Sequence, residues 1–123
     1  MTPKETAKTI IEAVRDKKAE DIAVLSVASL TTLADYYIIC TGSSNTQLRA
    51  IADSVDQALS RRGIEPRGRE GYRSVSWILL DYGSVVVHIF KGDTREFYAL
   101  ERLWGDAGRL DPDEFLKTGG DPE

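Results

Sequence analysis

The chain is 123 residues long, 41% hydrophobic and 29% charged, the make-up of one globular domain around one core. No run approaches the roughly 18 apolar residues of a membrane span, and the stretch from Met1 to Lys8 is polar and lacks a signal-peptide core. The single cysteine, Cys40, excludes an internal disulfide and a cysteine-built zinc cluster. The net charge of −4 lies in residues 111–123, which hold five acids and one base, so residues 1–110 are neutral. A nucleic-acid binder working by overall charge is thereby excluded, and no sequence-specific nucleic-acid contact is expected. No metal or cofactor is expected either, and the expected compartment is the cytoplasm.

Thr2-Pro3-Lys4-Glu5 is a capping box with proline at the first helical position, and Ala7, Ile10, Ile11 and Val14 share one helical face. The spacing predicts a helix from Pro3 to Lys18. Asp21 to Val27 is strand-like, with Ile22, Val24 and Leu25 as its buried residues. Tyr36 to Thr41 is a β-rich run without alternation, as in a central strand covered on both faces. Gly42-Ser43-Ser44-Asn45 breaks it, and Ser44 with Gln47 reads as a second capping box. Leu48, Ile51, Ala52, Val55 and Leu59 then mark a helix to about Arg62, stopped at Gly63. Residues 64–74 are glycine-rich and charged: a loop with room for a short edge strand.

The densest apolar run is 75–90. Asp81-Tyr82-Gly83-Ser84 is a hairpin turn between two strand-like segments. With Tyr82 and Gly83 as the loop, Leu80 pairs with Val85, Leu79 with Val86, Ile78 with Val87 and Trp77 with His88. Alternation then places Ile78, Leu80, Val85, Val87 and Ile89 on a wholly aliphatic core face. Trp77, Leu79, Asp81, Val86, His88 and Phe90 fall on the other, apolar but with polar handles. Asp93 and Glu96 form a third capping box for a helix with Phe97, Leu100 and Trp104 on one side and Tyr98, Glu101 and Arg102 on the other. Asp111-Pro112-Asp113-Glu114 reads as the start of one more helical turn, and the chain ends in a flexible tail. The fold class is α/β, a single domain with a mixed four- to five-stranded sheet flanked by helices.

The most enzyme-like feature is Gly42-Ser43-Ser44 at a strand end that opens a helix, an arrangement suited to anions. It is no Walker loop, because the Gly-Lys-Ser/Thr sequence is absent. It does resemble the opening of nucleotidyltransferase domains, which need two or three carboxylates to hold metal ions. Asp81 stands alone, with Leu79 and Gly83 two positions either side. A weak anion site at Gly42, Ser43 and Ser44 stays open as a reading, while metal-assisted transfer does not. His88, the sole histidine, has no nucleophile beside it in sequence, so acyl-transfer catalysis is not expected.

Four blocks, Leu33 to Ser44, Trp77 to Gly83, Val87 to Phe90 and Phe97 to Trp104, together resemble the ribosomal silencing factor family (RsfS, also called Iojap). The resemblance covers residues 3–107. It implies a domain over 1–107, nucleotidyltransferase-like without the catalytic carboxylates; residues 108–123 fall outside it and read as an acidic, largely flexible tail. It implies a non-enzymatic protein that binds the large-subunit ribosomal protein L-fourteen and blocks joining of the ribosomal subunits, repressing translation under nutrient limitation. A homodimer is implied for the free protein, and no membrane is involved. The open sheet face is the expected contact, with Trp77 and Leu79 as anchors and Asp81, Tyr82 and His88 as oriented polar partners, joined by Tyr98 and Glu101 from the following helix. The alternatives are a nucleotide- or phosphate-binding remnant using Gly42-Ser43-Ser44, and a scaffold whose Trp77 face serves self-association alone.

Overall fold

Thr2 starts the first helix as its sequence demands. Its hydroxyl accepts the Glu5 N–H at 3.1 Å, and the Glu5 carboxylate accepts the Thr2 N–H at 3.2 Å. The Thr2 backbone N–H first, and the Thr2 hydroxyl second, hold the Glu5 carboxyl below its ordinary range. The computed structural model describes residues 2–28, 32–71, 77–92 and 108–117. In chain order they form α1 (Pro3–Asp16), β1 (Glu20–Ser26), β2 (Tyr36–Gly42), α2 (Asn45–Ser60), β3 (Gly68–Glu70), β4 (Trp77–Asp81), β5 (Val85–Lys91), β6 (Gly108–Leu110) and α3 (Pro112–Lys117). The helix expected after β5, with Tyr98 and Glu101, lies outside the described residues.

α1 stops two residues before the expected Lys18. The Ala19 N–H reaches back to the Val14 carbonyl at 3.0 Å and the Lys18 N–H to Arg15 at 2.9 Å. This is a Schellman closure, and it places Lys18 in the left-handed region at φ 62°. α2 closes the same way at Gly63, with the Ile64 N–H on the Leu59 carbonyl.

The strands form one mixed sheet in the order β3-β4-β5-β2-β1-β6. β2 and β5 run parallel at its centre, with Tyr36 opposite Val85 and Gly42 opposite Lys91; the other pairs are antiparallel. β3 supplies the short edge strand for which 64–74 left room. β6, at the other edge, was not read from the sequence.

Both helical stripes lie on one face of the sheet. Ile10, Ile11 and Val14 from α1 and Leu48, Ile51, Val55 and Leu59 from α2 close over Ile38, Cys40, Ile78, Leu80, Val85, Val87 and Ile89, all fully buried. The aliphatic face expected of the hairpin is this core face. The register within the hairpin differs from the expected one. Leu80 pairs with Val87, Leu79 with His88, and Trp77 with Phe90. The loop residues are Gly83 and Ser84, not Tyr82 and Gly83, because Tyr82 still donates to the Val85 carbonyl at 2.9 Å and Gly83 takes φ 80°. Each partner slips by two positions, an even number, so every side chain keeps its face.

Of residues 108–117, the helical turn expected from Asp111 is present as α3, while β6, in a segment expected to belong to the flexible tail, is a strand. β6 pairs with β1 from Val24–Leu110 to Ser26–Gly108. Asp111 caps α3, its side chain accepting the Asp113 N–H at 2.9 Å. Phe115, 5% exposed, enters the helix-side core and stands edge-on to Tyr36. An aromatic ring in an acidic segment finds its apolar partner only in the tertiary fold, so local composition did not show it.

Candidate partner-binding site

The face of the sheet away from α1 and α2 carries a second, smaller apolar cluster. Ala23, Leu25, Val27, Ala34, Ile39 and Phe90 form its buried floor, and Tyr37, Trp77 and Val86 pack on it while remaining partly exposed. Strand alternation puts them there: Tyr37 and Ile39 from β2, Val86, His88 and Phe90 from β5, and Trp77, Leu79 and Asp81 from β4.

Trp77 and His88 are diagonal neighbours instead of the directly opposed pair expected. They meet all the same, the Trp77 indole N–H donating to Nδ1 of His88 at 3.2 Å. Trp77 also stacks on Phe90, with centroids 5.2 Å apart and planes 24° apart, and Tyr37 lies 5.0 Å from the His88 ring. His88 is 4% exposed. That burial pushes its pKa down to about 4, so the imidazole is neutral at pH 7. With Nδ1 accepting, the ring proton belongs on Nε2, and that atom is buried with no hydrogen-bond partner among the described residues.

Asp81 ends β4 at the rim of this face. One carboxylate oxygen accepts the Gly83 N–H at 2.8 Å and so helps build the turn. Burial first, and the Asp81 charge second, push the Tyr37 phenol up. Trp77, Leu79 and Asp81 are all half-buried. Of the expected contact residues, the structure therefore brings Trp77, Leu79 and Asp81 together at the surface, with His88 beneath them and, at 4% exposure, not the direct polar contact expected. It does not bring Tyr82, which belongs to the helix-side core at 8% exposure. Tyr82 follows Leu80 at a two-residue interval, and alternation carries it to the opposite face. Tyr37 was missed. It reaches Trp77 and His88 because β5 is the parallel neighbour of β2, a pairing that no local pattern reveals.

Gly42, Ser43 and Ser44 lie at the other end of β2. Ser44 caps α2, accepting the Gln47 N–H at 3.1 Å. Gln47 does not complete a reciprocal box with Ser44. Its carboxamide oxygen takes the Ser43 N–H at 2.6 Å and hydroxyl at 2.8 Å, and its NH2 reaches the Lys17 and Lys18 carbonyls, each at 3.2 Å. Gly42 is small because α2 sits close: a Cβ there would come within 2.8 Å of Leu48 Cδ1. Among the described residues no three His, Cys, Asp or Glu side chains gather as metal ligands. No described helix is long and apolar enough to cross a membrane.

The chain has known relatives. Residues 1–122 match the family model described as ribosomal silencing factor during starvation, RsfS. The chain belongs to the RsfS family. It is 42% identical over 113 residues to the ribosomal silencing factor RsfS of Bacillus subtilis, covering 92% of this chain and 96% of that one. Against the RsfS of Halalkalibacterium halodurans it is 42% identical over 107 residues, 87% of this chain and 92% of the relative. A crystal structure of a Chromobacterium violaceum protein superposes with a TM-score of 0.83 at 42% identity, covering 85% of this chain and 88% of that one. The RsfS match runs beyond residue 107, where the resemblance was expected to end, and takes in β6 and α3.

Proposed function

We propose that this RsfS-family protein acts by binding and not by catalysis. It docks its open sheet face onto the large ribosomal subunit through ribosomal protein L-fourteen, and its bulk there keeps the small subunit from joining. The outcome is repression of translation when nutrients are limiting, in the cytoplasm. The observation that carries this reading is the partly exposed strip of Trp77, Tyr37, Leu79 and Val86, rimmed by Asp81, on the face opposite α1 and α2. Large aromatic rings on a rigid sheet bury much area at little entropic cost, which makes them good anchors. Asp81 adds a negative charge suited to the basic side chains of a ribosomal protein, giving orientation more than affinity. Tyr98 and Glu101 belong to the proposed contact by sequence alone. A homodimer of the free protein would shelter the same apolar strip.

The test is co-sedimentation with purified large subunits, together with light scattering of subunit joining. Trp77→Ala and Leu79→Ala should keep their circular dichroism yet lose binding and stop inhibiting joining. Wild-type binding by both variants would remove this face from the site. The phosphate-binding alternative has less support, since Gln47 already occupies the Ser43 N–H and the Ser44 hydroxyl caps α2. Calorimetry with a nucleoside triphosphate and magnesium tests it, and tight binding would revive it.

A further inference from the structure

His88 is an unusual choice for its position. It is buried among Tyr37, Trp77 and Phe90, and its ring lies within 7° of parallel to that of Phe90. A phenylalanine would fill the same space without leaving an Nε2–H donor buried and unmatched. What only histidine brings is the Nδ1 acceptor, and Trp77 uses it. Stacking on Phe90 fixes the plane of the Trp77 indole but does not choose which edge points inward. The hydrogen bond does favour one edge: it turns the indole N–H to His88.

We propose that His88 is a positioning residue for docking, holding the Trp77 indole in one orientation before the partner arrives. The inference rests on the reading of the Trp77 face as the docking surface. A ring ordered in advance loses less freedom on binding, so the gain appears in affinity without any contact between His88 and the partner. The acceptor requires a neutral imidazole, and burial keeps it neutral well below pH 7.

Three variants separate the acceptor from mere packing. His88→Asn places a carboxamide oxygen as many bonds from the backbone as Nδ1. His88→Gln moves it one bond further out, and His88→Phe removes it. Two readouts apply to each: hydrogen exchange of the Trp77 indole N–H in the free protein, its NMR signal assigned by its loss in Trp77→Phe, and affinity for purified large subunits. Faster indole exchange and binding weakened roughly threefold to tenfold, the cost of ordering one side chain, are expected for Phe and Gln, and Asn should restore both. If His88→Phe fails to fold, His88→Gln against His88→Asn makes the same comparison. Wild-type affinity in His88→Phe or His88→Gln, alongside lost binding in Trp77→Ala, overturns the positioning role and leaves the docking face standing. Unchanged binding in Trp77→Ala removes the docking face, and the inference falls with it.

Discussion

Phe115 stands edge-on to Tyr36, with ring centroids 5.4 Å apart and planes at 72°. The contact ties α3 to the first residue of the central strand β2. Lys4 of α1 places its ammonium 5.7 Å from the centroid of the same Phe115 ring. The Arg15–Asp113 ion pair beside them, at 2.6 Å, is exposed and adds little. Phe115→Ala should therefore destabilise the whole domain by about 3 kcal/mol, as a buried aromatic truncation does, whereas Asp113→Ala should cost less than about 1 kcal/mol. Urea unfolding followed by far-ultraviolet circular dichroism gives both values. A Phe115→Ala protein as stable as the wild type would show that α3 is not part of the cooperative unit.

Lys18 occupies the left-handed backbone region that glycine fills in most Schellman closures. Replacing it with glycine removes the Cβ strain, and the release outweighs the extra freedom of the unfolded chain. Lys18→Gly should stabilise by up to about 1 kcal/mol. Lys18→Val, branched at Cβ, should destabilise. Thermal melts of the two variants decide the sign.

His88 links stability to pH. Its folded pKa of about 4 lies below the ordinary 6.5. Between those values the unfolded chain binds a proton that the folded protein refuses, so acidification favours unfolding. The contribution is complete above pH 6.5 and declines as the pH falls towards 4, by about 3 kcal/mol across the window. Urea unfolding at a series of pH values should show this slope in the wild type. It should be missing from His88→Phe, and an unchanged slope there would assign it to other groups.

Asp81 has two separable roles, turn building and charge. Asp81→Asn keeps an oxygen for the Gly83 N–H and removes the negative charge. Stability should change by less than about 0.5 kcal/mol, as for a substitution that keeps its hydrogen bond. The Tyr37 pKa should drop, because Asp81 is one of the two influences that raise it. Ultraviolet titration reports the phenol. On large subunits, the variant should associate more slowly and with a weaker dependence on salt than the wild type.

Much of this architecture is legible in local sequence. The Thr2–Glu5 capping box, the stripes of α1 and α2, and the division of β4 and β5 into an aliphatic and an aromatic face all follow from short-range spacing. Even the wrong hairpin register sorted the faces correctly, since the slip was even. Long-range pairing is not legible in local sequence. β6 is three residues long and is defined by β1, far away in sequence. Tyr37 joins Val86 and His88 only once β5 lies beside β2. The helical turn from Asp111 was legible, but the seat of its Phe115 against Tyr36 was not. Of the docking residues, Trp77, Leu79 and Asp81 were legible by alternation, and the same rule takes Tyr82 away from them.

The parallel pairing of β2 with β5 also governs how the chain is assembled. β2 leaves synthesis early, flanked by β1, but its other edge finds no partner until Val85–Lys91 emerges after α2 and the β4 turn. Such a distant pairing closes late, and until then a nascent chain exposes unpaired strand backbone beside apolar residues. A chain truncated before Val85 should accordingly aggregate more readily than the full-length protein.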